Sequence, residues 1–359
     1  MRLATFDRMP QQLEQLAAQL DRLAAFEAGP FPVISLYLNL QPDENGKDRF
    51  EPFLRKELTE RIRTYATSTP ERNSLEADAA NIRTYLEHVE PSINRLAVFT
   101  CSGADMFEAV PLAAPLDAHR LYISDRPQLY PLARVLDAYP RYVALLADSH
   151  SARIFVFAAN ALEKTDRIEN PKVKHHKQGG WSQARYQRHV ENYHLQHAKE
   201  VADHVAKIAR DEKIDKIVLS GDETILPLIR DHFPKDIAER IVDVVKLDAH
   251  AGEKDVLQST IAALREKDAE GDRERVDALL GAYRAGGLAT AGVENTMKAF
   301  ERGQVDELVI TARPGAIEDD TAAELVRKAR QTSAKIRFIE EATLLASAGG
   351  VGAFLRFKI

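Results

Sequence analysis

The sequence predicts an α/β protein with three domains. Its 359 residues are too many for one ordinary core and fit two or three domains of roughly 100 to 150 residues each. Short β-rich runs such as VISLYLNL and KIVLS alternate with amphipathic helical stretches, which is typical of α/β layers. The alternation restarts after Tyr139 and again around a highly charged stretch, so we place the domains at 1–138, 139–252 and 253–359.

The first domain opens with an amphipathic helix, because leucines recur at helical spacing between Gln11 and Phe26. The segment AGPFP ends this helix, and VISLYLNL predicts a buried strand. Two helical stretches, 49–65 and 76–89, precede a second strand, INRLAVFTC. Cys101 is the only cysteine, so no intramolecular disulfide forms, and we expect it to be a buried strand residue.

The second domain begins with a predicted hairpin, in which YVALLAD and ARIFVFAA are joined by a short polar turn at 149–151. From Gln183 onward, apolar residues recur at intervals of three and four, which predicts one helix of about eight turns. The run KIDKIVLSGDETILPLIRDHF then predicts a buried strand followed by a helix.

The charged stretch REKDAEGDRERVDALLGAYRAG is interpreted as a solvated helix that bridges two domains. After it, helix VENTMKAFERG, strand VDELVIT, helix DTAAELVRKARQTSA and strand KIRFIE alternate. This order predicts a small α/β/α sandwich at the end of the chain.

A basic loop with a glycine pair is the main candidate site. It spans Lys172 to Arg188, and no acidic residue lies between Glu169 and Glu191, although the chain has a net charge of -6. A basic loop on an acidic protein predicts a polyanionic target such as RNA. The side chains that we expect to contact RNA are Lys172, Lys174, His175, His176, Lys177, Trp181, Arg185 and Arg188.

Several of these residues have a second interpretation. Trp181 either stacks on an unpaired base or folds back onto its own domain and orders the loop. Six of the 11 histidines lie between His175 and His204; we favour packing or RNA contact, because no carboxylate cluster or cysteine completes a metal site. Asp148, between the hairpin strands, is interpreted as a turn former rather than as a metal ligand of a nuclease.

Other classes of protein are disfavoured by missing patterns. No apolar run is long enough to span a bilayer, and Asp7 and Arg8 occupy the place of a signal peptide's apolar core, so a cytoplasmic protein without a membrane partner is expected. The chain has no nucleophile elbow, dinucleotide-binding motif or phosphate-binding GxxxxGK[ST] motif. We therefore expect no cofactor, no metal and no DNA partner.

Four collinear segments resemble the archaeo-eukaryotic class 1 peptide chain release factors. They are YVALLADSHSARIFVF, KHHKQGGWSQARYQRHVENYHLQHAKEVADHV, GLATAGVENTMKAFERGQVDELVI and AGGVGAFLRF. The likeness is closest to the bacterial members, called bacterial archaeo-eukaryotic release-factor-like proteins, and more distant to the stalled-ribosome factor Pelota. It implies an N-terminal α/β domain, a ribonuclease-H-like middle domain and a C-terminal domain similar to kink-turn-binding ribosomal proteins.

The resemblance also implies a partner and a reaction. In the family the three domains mimic a tRNA in the ribosomal A site, and a Gly-Gly-Gln loop reaches the peptidyl-tRNA ester. Hydrolysis of that ester needs a positioned water, for which a glutamine offers a donor and an acceptor, and glycines allow close backbone approach. The corresponding catalytic candidates here are Gln183, Gly179 and Gly180. A translational GTPase is a further partner that the resemblance implies.

This chain departs from the family at the loop tip, because Trp181 follows the glycine pair and glutamine comes only at position 183. The Asn-Ile-Lys-Ser motif that reads stop codons is also missing. We therefore expect a factor that binds the A site of idle or stalled ribosomes without decoding, in hibernation or protection. The alternative is a codon-independent peptidyl-tRNA hydrolase that rescues stalled ribosomes, so the sequence leaves open whether the protein is an enzyme.

Overall fold

The part of the chain that the computed structural model describes has a mixed α/β fold with three β-sheets, which confirms the predicted fold class. The structure describes residues 11–41, 50–116, 118–158, 160–169, 182–248, 250–313 and 315–358, and only the backbone of 11–15, 182–187 and 189. Contacts group the chain from Tyr139 to Glu270 in one compact unit, and Gln11–Ala138 with the chain from Gly271 onward in another. The finer division at 138/139 and 252/253 stays a prediction.

The N-terminal part contains a four-stranded antiparallel sheet of order β3-β2-β1-β4. The strands are β1 Val33–Asn39, β2 Arg95–Cys101, β3 Met106–Pro111 and β4 Arg120–Ser124. The helices are α1 Gln11–Ala25, α2 Phe50–Ile62, α3 Pro70–Glu87 and α4 Tyr130–Ala138. Cys101 is buried as predicted, and burial raises the pKa of its thiol.

Both faces of this sheet are covered, which explains why β1 reads as an almost continuous apolar run. Ile34 and Leu36 share a core with α2 and α3, whereas Tyr37 on the opposite face belongs to a core with α1 and α4. The Tyr37 hydroxyl donates a hydrogen bond of 2.6 Å to the carbonyl of Gln128. The predicted helices and strands of this region are confirmed, although α3 begins at Pro70, six residues before the predicted start at 76.

The middle part is a five-stranded sheet of order β7-β6-β5-β8-β9. Its strands are β5 Tyr142–Ala147, β6 Ser151–Ala158, β7 Ala161–Glu169, β8 Ile217–Gly221 and β9 Ile241–Val245. Strands β5, β6 and β7 form an antiparallel meander, while β8 and β9 continue the sheet parallel to β5. This arrangement agrees with the ribonuclease-H-like topology that the resemblance implies.

Four helices accompany this sheet in sequence. They are α5 Ser182–Asp211, α6 Leu226–His232, α7 Lys235–Ala238 and α8 Glu253–Arg284. With 30 residues, α5 makes about eight turns, so the predicted long helix is confirmed. Its C-terminal half packs through Ala198, Val201 and Val205 into the core beneath the sheet.

The C-terminal part has a sheet of order β10-β13-β11-β12, in which only β11 and β12 pair in parallel. The strands are β10 Ala289–Ala291, β11 Val305–Thr311, β12 Lys335–Ile339 and β13 Val351–Leu355, with helices α9 Val293–Glu301 and α10 Asp319–Gln331. Helices α9 and α10 lie on one face and the end of α8 on the other. The α/β/α sandwich is confirmed.

The N-terminal and C-terminal sheets share one hydrophobic core. Side chains of α1, α4, β1 and β2 pack in the same cluster as side chains of α9, α10, β11 and β12. Polar contacts cross the same boundary: the Tyr130 hydroxyl donates to the Thr311 carbonyl at 2.5 Å, and the Gln331 amide donates to the Ala24 carbonyl at 2.8 Å. The two sheets therefore form one compact unit.

The charged stretch forms the second half of α8, so the predicted helix is confirmed, but it is not solvated on every side. Its residues Asp272, Val276 and Leu279 are buried. Asp272 is accommodated because Arg337 donates a hydrogen bond of 2.8 Å to its carboxylate. The apolar residues recur at three- and four-residue spacing between the charges, so one stripe of the helix packs while the rest is solvated.

Candidate functional site

Most residues of the predicted site lie outside the described residues. Gly179, Gly180 and Trp181 belong to this group, as do the basic residues Lys172, Lys174, His175, His176 and Lys177. Gln183 and Arg185 lie in the first turns of α5, where only the backbone is described. Arg188 lies one turn further along α5 and is exposed. The roles assigned to these residues therefore stay predictions.

The two ends of the loop segment have described positions. Strand β7 ends at Glu169, and α5 begins at Ser182. Because β6 is antiparallel to both β5 and β7, β7 runs in the same direction as β5 and β8. The segment thus leaves the sheet at the carboxyl ends of these strands, the edge at which α/β sheets usually bind ligands.

Asp148 organises the turn that follows β5. Its carboxylate accepts hydrogen bonds from the backbone N–H of His150 and of Ser151, both at 2.7 Å, and from the Ser151 hydroxyl at 2.8 Å. Burial alone would raise the pKa of Asp148, but these hydrogen bonds outweigh it and lower that pKa below its ordinary value. All these partners belong to the turn itself, so the prediction that Asp148 is a turn former is confirmed.

A close backbone approach joins the ends of β5 and β8. Gly221 has a φ of +148°, and a Cβ atom at this position would lie 1.9 Å from the Ala147 carbonyl oxygen. The next residue, Asp222, donates its N–H to that same oxygen at 3.0 Å. A glycine is therefore required here to bring the turn after β8 against the turn after β5.

Helix α5 is anchored at this same edge. His197 is only 1% exposed, and its Nε2 lies 3.2 Å from the Asp148 carbonyl oxygen. His204, two turns further along, places its Nε2 2.7 Å from a carboxylate oxygen of Asp166. Both histidines therefore make contacts within the protein. In the described part of the chain, no group of three His, Cys, Asp or Glu side chains is arranged to hold a metal ion.

The sequence did not single out His150, which lies in the turn between β5 and β6. Its ring centroid is 5.9 Å from that of Tyr193 and 6.4 Å from that of His194, and the latter two are 6.2 Å apart. This contact joins a turn to a helix more than 40 residues away in the chain. No local pattern in the sequence indicates such a pair.

The stability of the unit Tyr139–Glu270 is expected to fall in mild acid because of His197. Burial lowers the pKa of this imidazole, so the folded state favours its neutral form. The unfolded chain takes up the proton near about pH 6.5, so this contribution is complete above that pH and is lost as the pH falls below it. Thermal unfolding between about pH 7 and pH 5.5 should show a smaller loss for His197→Gln than for the wild type.

The exposed His88 provides the control for this measurement. A His88→Gln variant should keep the wild-type pH dependence. Equal losses for the wild type and His197→Gln would contradict the assignment.

Sequence comparison shows which class of proteins this chain resembles. The chain is 22% identical to peptide chain release factor subunit 1 of Thermococcus onnurineus, over 97% of this chain and 98% of that protein. It is also 24% identical to an uncharacterized protein, YocB, of Bacillus subtilis, over 59% of this chain and 86% of that protein. The chain is therefore a homologue of the archaeal release factors.

The particular match is to a bacterial branch of this class. Residues 127–265, which include the whole loop segment and α5, match the model of bacterial archaeo-eukaryotic release factor family 10. The recognition made from the sequence is thus confirmed: residues 127–265 match a release-factor-like family model, and the chain is similar over most of its length to an archaeal release factor. None of the described helices is long and apolar enough to cross a membrane.

Solved structures of the same class are also similar to this chain. The archaeal termination factor aRF1 is 16% identical, with 96% of this chain and 98% of that chain covered and a TM-score of 0.28. A model of ribosome-bound archaeal Pelota and ABCE1 is 13% identical, covering 96% of this chain and 94% of that chain, with a TM-score of 0.44. The homology to release factors rests on the similarity in sequence.

Proposed function

We propose that this protein binds the A site of idle or stalled ribosomes without decoding a stop codon, and acts in hibernation or protection. The observation that carries the proposal is the loop sequence itself. By the resemblance to release factors, a glycine pair in a basic segment corresponds to their catalytic loop, but Trp181 follows the pair where they have a glutamine. The glycine pair and the basic residues that would bind RNA are present, whereas the glutamine that would position the water comes only at Gln183.

The helix that follows the loop supports a role in reaching a distant target. Between Arg188 and Gln196, no described side chain of α5 is buried, and His197 is the first of the described side chains that is buried. The 15 residues from Ser182 to Gln196 correspond to about 22 Å of helix at 1.5 Å per residue. A helix backbone that extends this far ahead of His197 suits a segment that enters a narrow RNA cavity.

The alternative is a codon-independent peptidyl-tRNA hydrolase that rescues stalled ribosomes. The intact pair Gly179-Gly180 favours it, because glycines allow the backbone to approach RNA closely. Gln183 would then orient the attacking water, since its amide offers both a donor and an acceptor. A translational GTPase partner, the cytoplasmic location and the three-domain division are further parts of the proposal.

One assay separates the two functions. Purified protein is mixed with 70S ribosomes carrying peptidyl-tRNA, and co-sedimentation and peptide release are measured together. Gln183→Ala is compared with Gln187→Ala, which removes the same side chain one turn further along α5. Binding without release, by the wild type and both variants, is the expected result.

The other outcomes are equally decisive. Release that is lost in Gln183→Ala but kept in Gln187→Ala would establish the hydrolase and overturn the hibernation proposal. Failure of the wild type to sediment with ribosomes would overturn both functions.

A further inference from the structure

The turn between β5 and β6 contacts α5 through a small group of side chains, which we call the histidine clamp. Its members are Asp148, His150, Tyr193, His194 and His197. His197 is linked to the turn through the Asp148 carbonyl at 3.2 Å, and the His150 ring faces those of Tyr193 and His194 at 5.9 and 6.4 Å. The clamp therefore holds the helix at two successive turns.

The turn side of the clamp is rigid. The Asp148 carboxylate accepts three hydrogen bonds from within the turn, and the Asp148 N–H donates to the Ser151 carbonyl at 2.8 Å. The neighbouring turn after β8 is joined to it, because the Ser149 hydroxyl lies 3.4 Å from a carboxylate oxygen of Asp222. A rigid turn provides a fixed surface against which a helix can be oriented.

The described side chains of α5 that precede His197 make few buried contacts of their own. From His197 onward, α5 buries one face in the core, but no described side chain from Arg188 to Gln196 is buried. Most helical stability in proteins comes from tertiary packing of one face of the helix. The half of α5 that carries Gln183 and Arg185 continues a packed helix, and contacts such as the clamp limit its fraying and fix its direction.

We propose that His150 is a positioning residue for the loop-bearing half of α5, acting through the packing of its ring against Tyr193 and His194. Its Nδ1 atom is buried and has no hydrogen-bond partner within the described part of the chain. The ring therefore stabilises the helix by contact, not by hydrogen bonding at this nitrogen. The consequence for ribosome binding rests on the function proposed above, whereas the effect on the helix does not.

Hydrogen exchange of the full-length protein tests the clamp directly. In His150→Ala, amides from Arg188 to His194 should exchange about tenfold faster, while those from Ala198 onward stay unchanged. In His150→Phe, exchange should match the wild type within about twofold, because the ring is kept and an unpaired buried nitrogen is removed. The matched control is His204→Gln, which removes a contact of α5 with Asp166 away from the turn.

The exchange rates of the His150 variants decide whether His150 is a positioning residue. Faster exchange in His150→Ala with rescue by His150→Phe supports the positioning role. Unchanged exchange in His150→Ala, or equal loosening in His150→Phe, would overturn it, as would loosening of the same segment in His204→Gln.

Ribosome co-sedimentation then separates this inference from the function. If the wild type binds, His150→Ala should bind about fivefold more weakly and His150→Phe normally, because ordering the helix before binding lowers the entropy cost. If the wild type does not bind, the proposed function fails, and the exchange data still decide the role of His150.

Discussion

Replacing Lys174, Lys177, Arg185 and Arg188 together by alanine is expected to lower ribosome affinity about a hundredfold or more at moderate salt. Each cation that neutralises an RNA phosphate releases counterions, and four such contacts make a large share of a salt-dependent binding energy. The slope of log affinity against log salt concentration should become shallower by about 3. Sedimentation with 70S ribosomes across a salt series measures both quantities.

The control removes the same charge from the same compact unit but away from the loop. It replaces four exposed lysines, Lys199, Lys207, Lys213 and Lys235, by alanine. We expect this variant to lose little affinity and to keep the wild-type salt slope. If the loop variant also kept its affinity, the A-site proposal would lose its physical basis, and so would the hydrolase alternative.

Gly221→Ala is expected to destabilise the unit Tyr139–Glu270 by more than about 3 kcal/mol. The new Cβ would lie 1.9 Å from the Ala147 carbonyl oxygen, and this neighbour is backbone in the adjacent strand, so no side chain can move aside. The φ of +148° is also strained for any residue with a side chain. Loss of the contact between the two strand ends would release the turn that anchors α5.

Differential scanning calorimetry together with limited proteolysis measures this effect. Proteolytic fragments should come from cleavage between 139 and 270, with the other unit protected. The control is Gly281→Ala, since Gly281 lies in α8, is exposed, and has room for a Cβ atom with no neighbour within 4 Å. It should stabilise the helix by up to about 1 kcal/mol. A Gly221→Ala protein with wild-type stability would contradict the close approach.

Local patterns in the sequence predicted most secondary structure correctly. The periodicity of apolar residues predicted the hairpin of β5 and β6 and the long helix α5. The position of Asp148 between the two hairpin strands predicted its role in the turn. The charged stretch in α8 was interpreted as solvated because its many charges concealed Val276 and Leu279, which pack on one stripe. Periodicity of apolar residues was the better signal there than overall charge.

The contacts that support the candidate site were less accessible to sequence reasoning. His197 fell on an apolar stripe and was expected to pack, but His150 and Gly221 appeared as ordinary turn residues. Their importance comes from close approaches between a turn, a neighbouring strand and a distant helix. Such approaches depend on where the sheet places its strand ends, and no short window of sequence contains that information.

By itself the sequence determined the α/β class, the basic glycine loop ahead of a long helix, and the relationship to release factors, because these depend on local composition, periodicity and order. Only the tertiary structure decided which faces meet. It showed that the N-terminal and C-terminal sheets share one core and that the β5–β6 turn holds α5. A periodic pattern of apolar residues predicts that one face of an element is buried. Which element covers that face depends on packing between segments that are far apart in the chain.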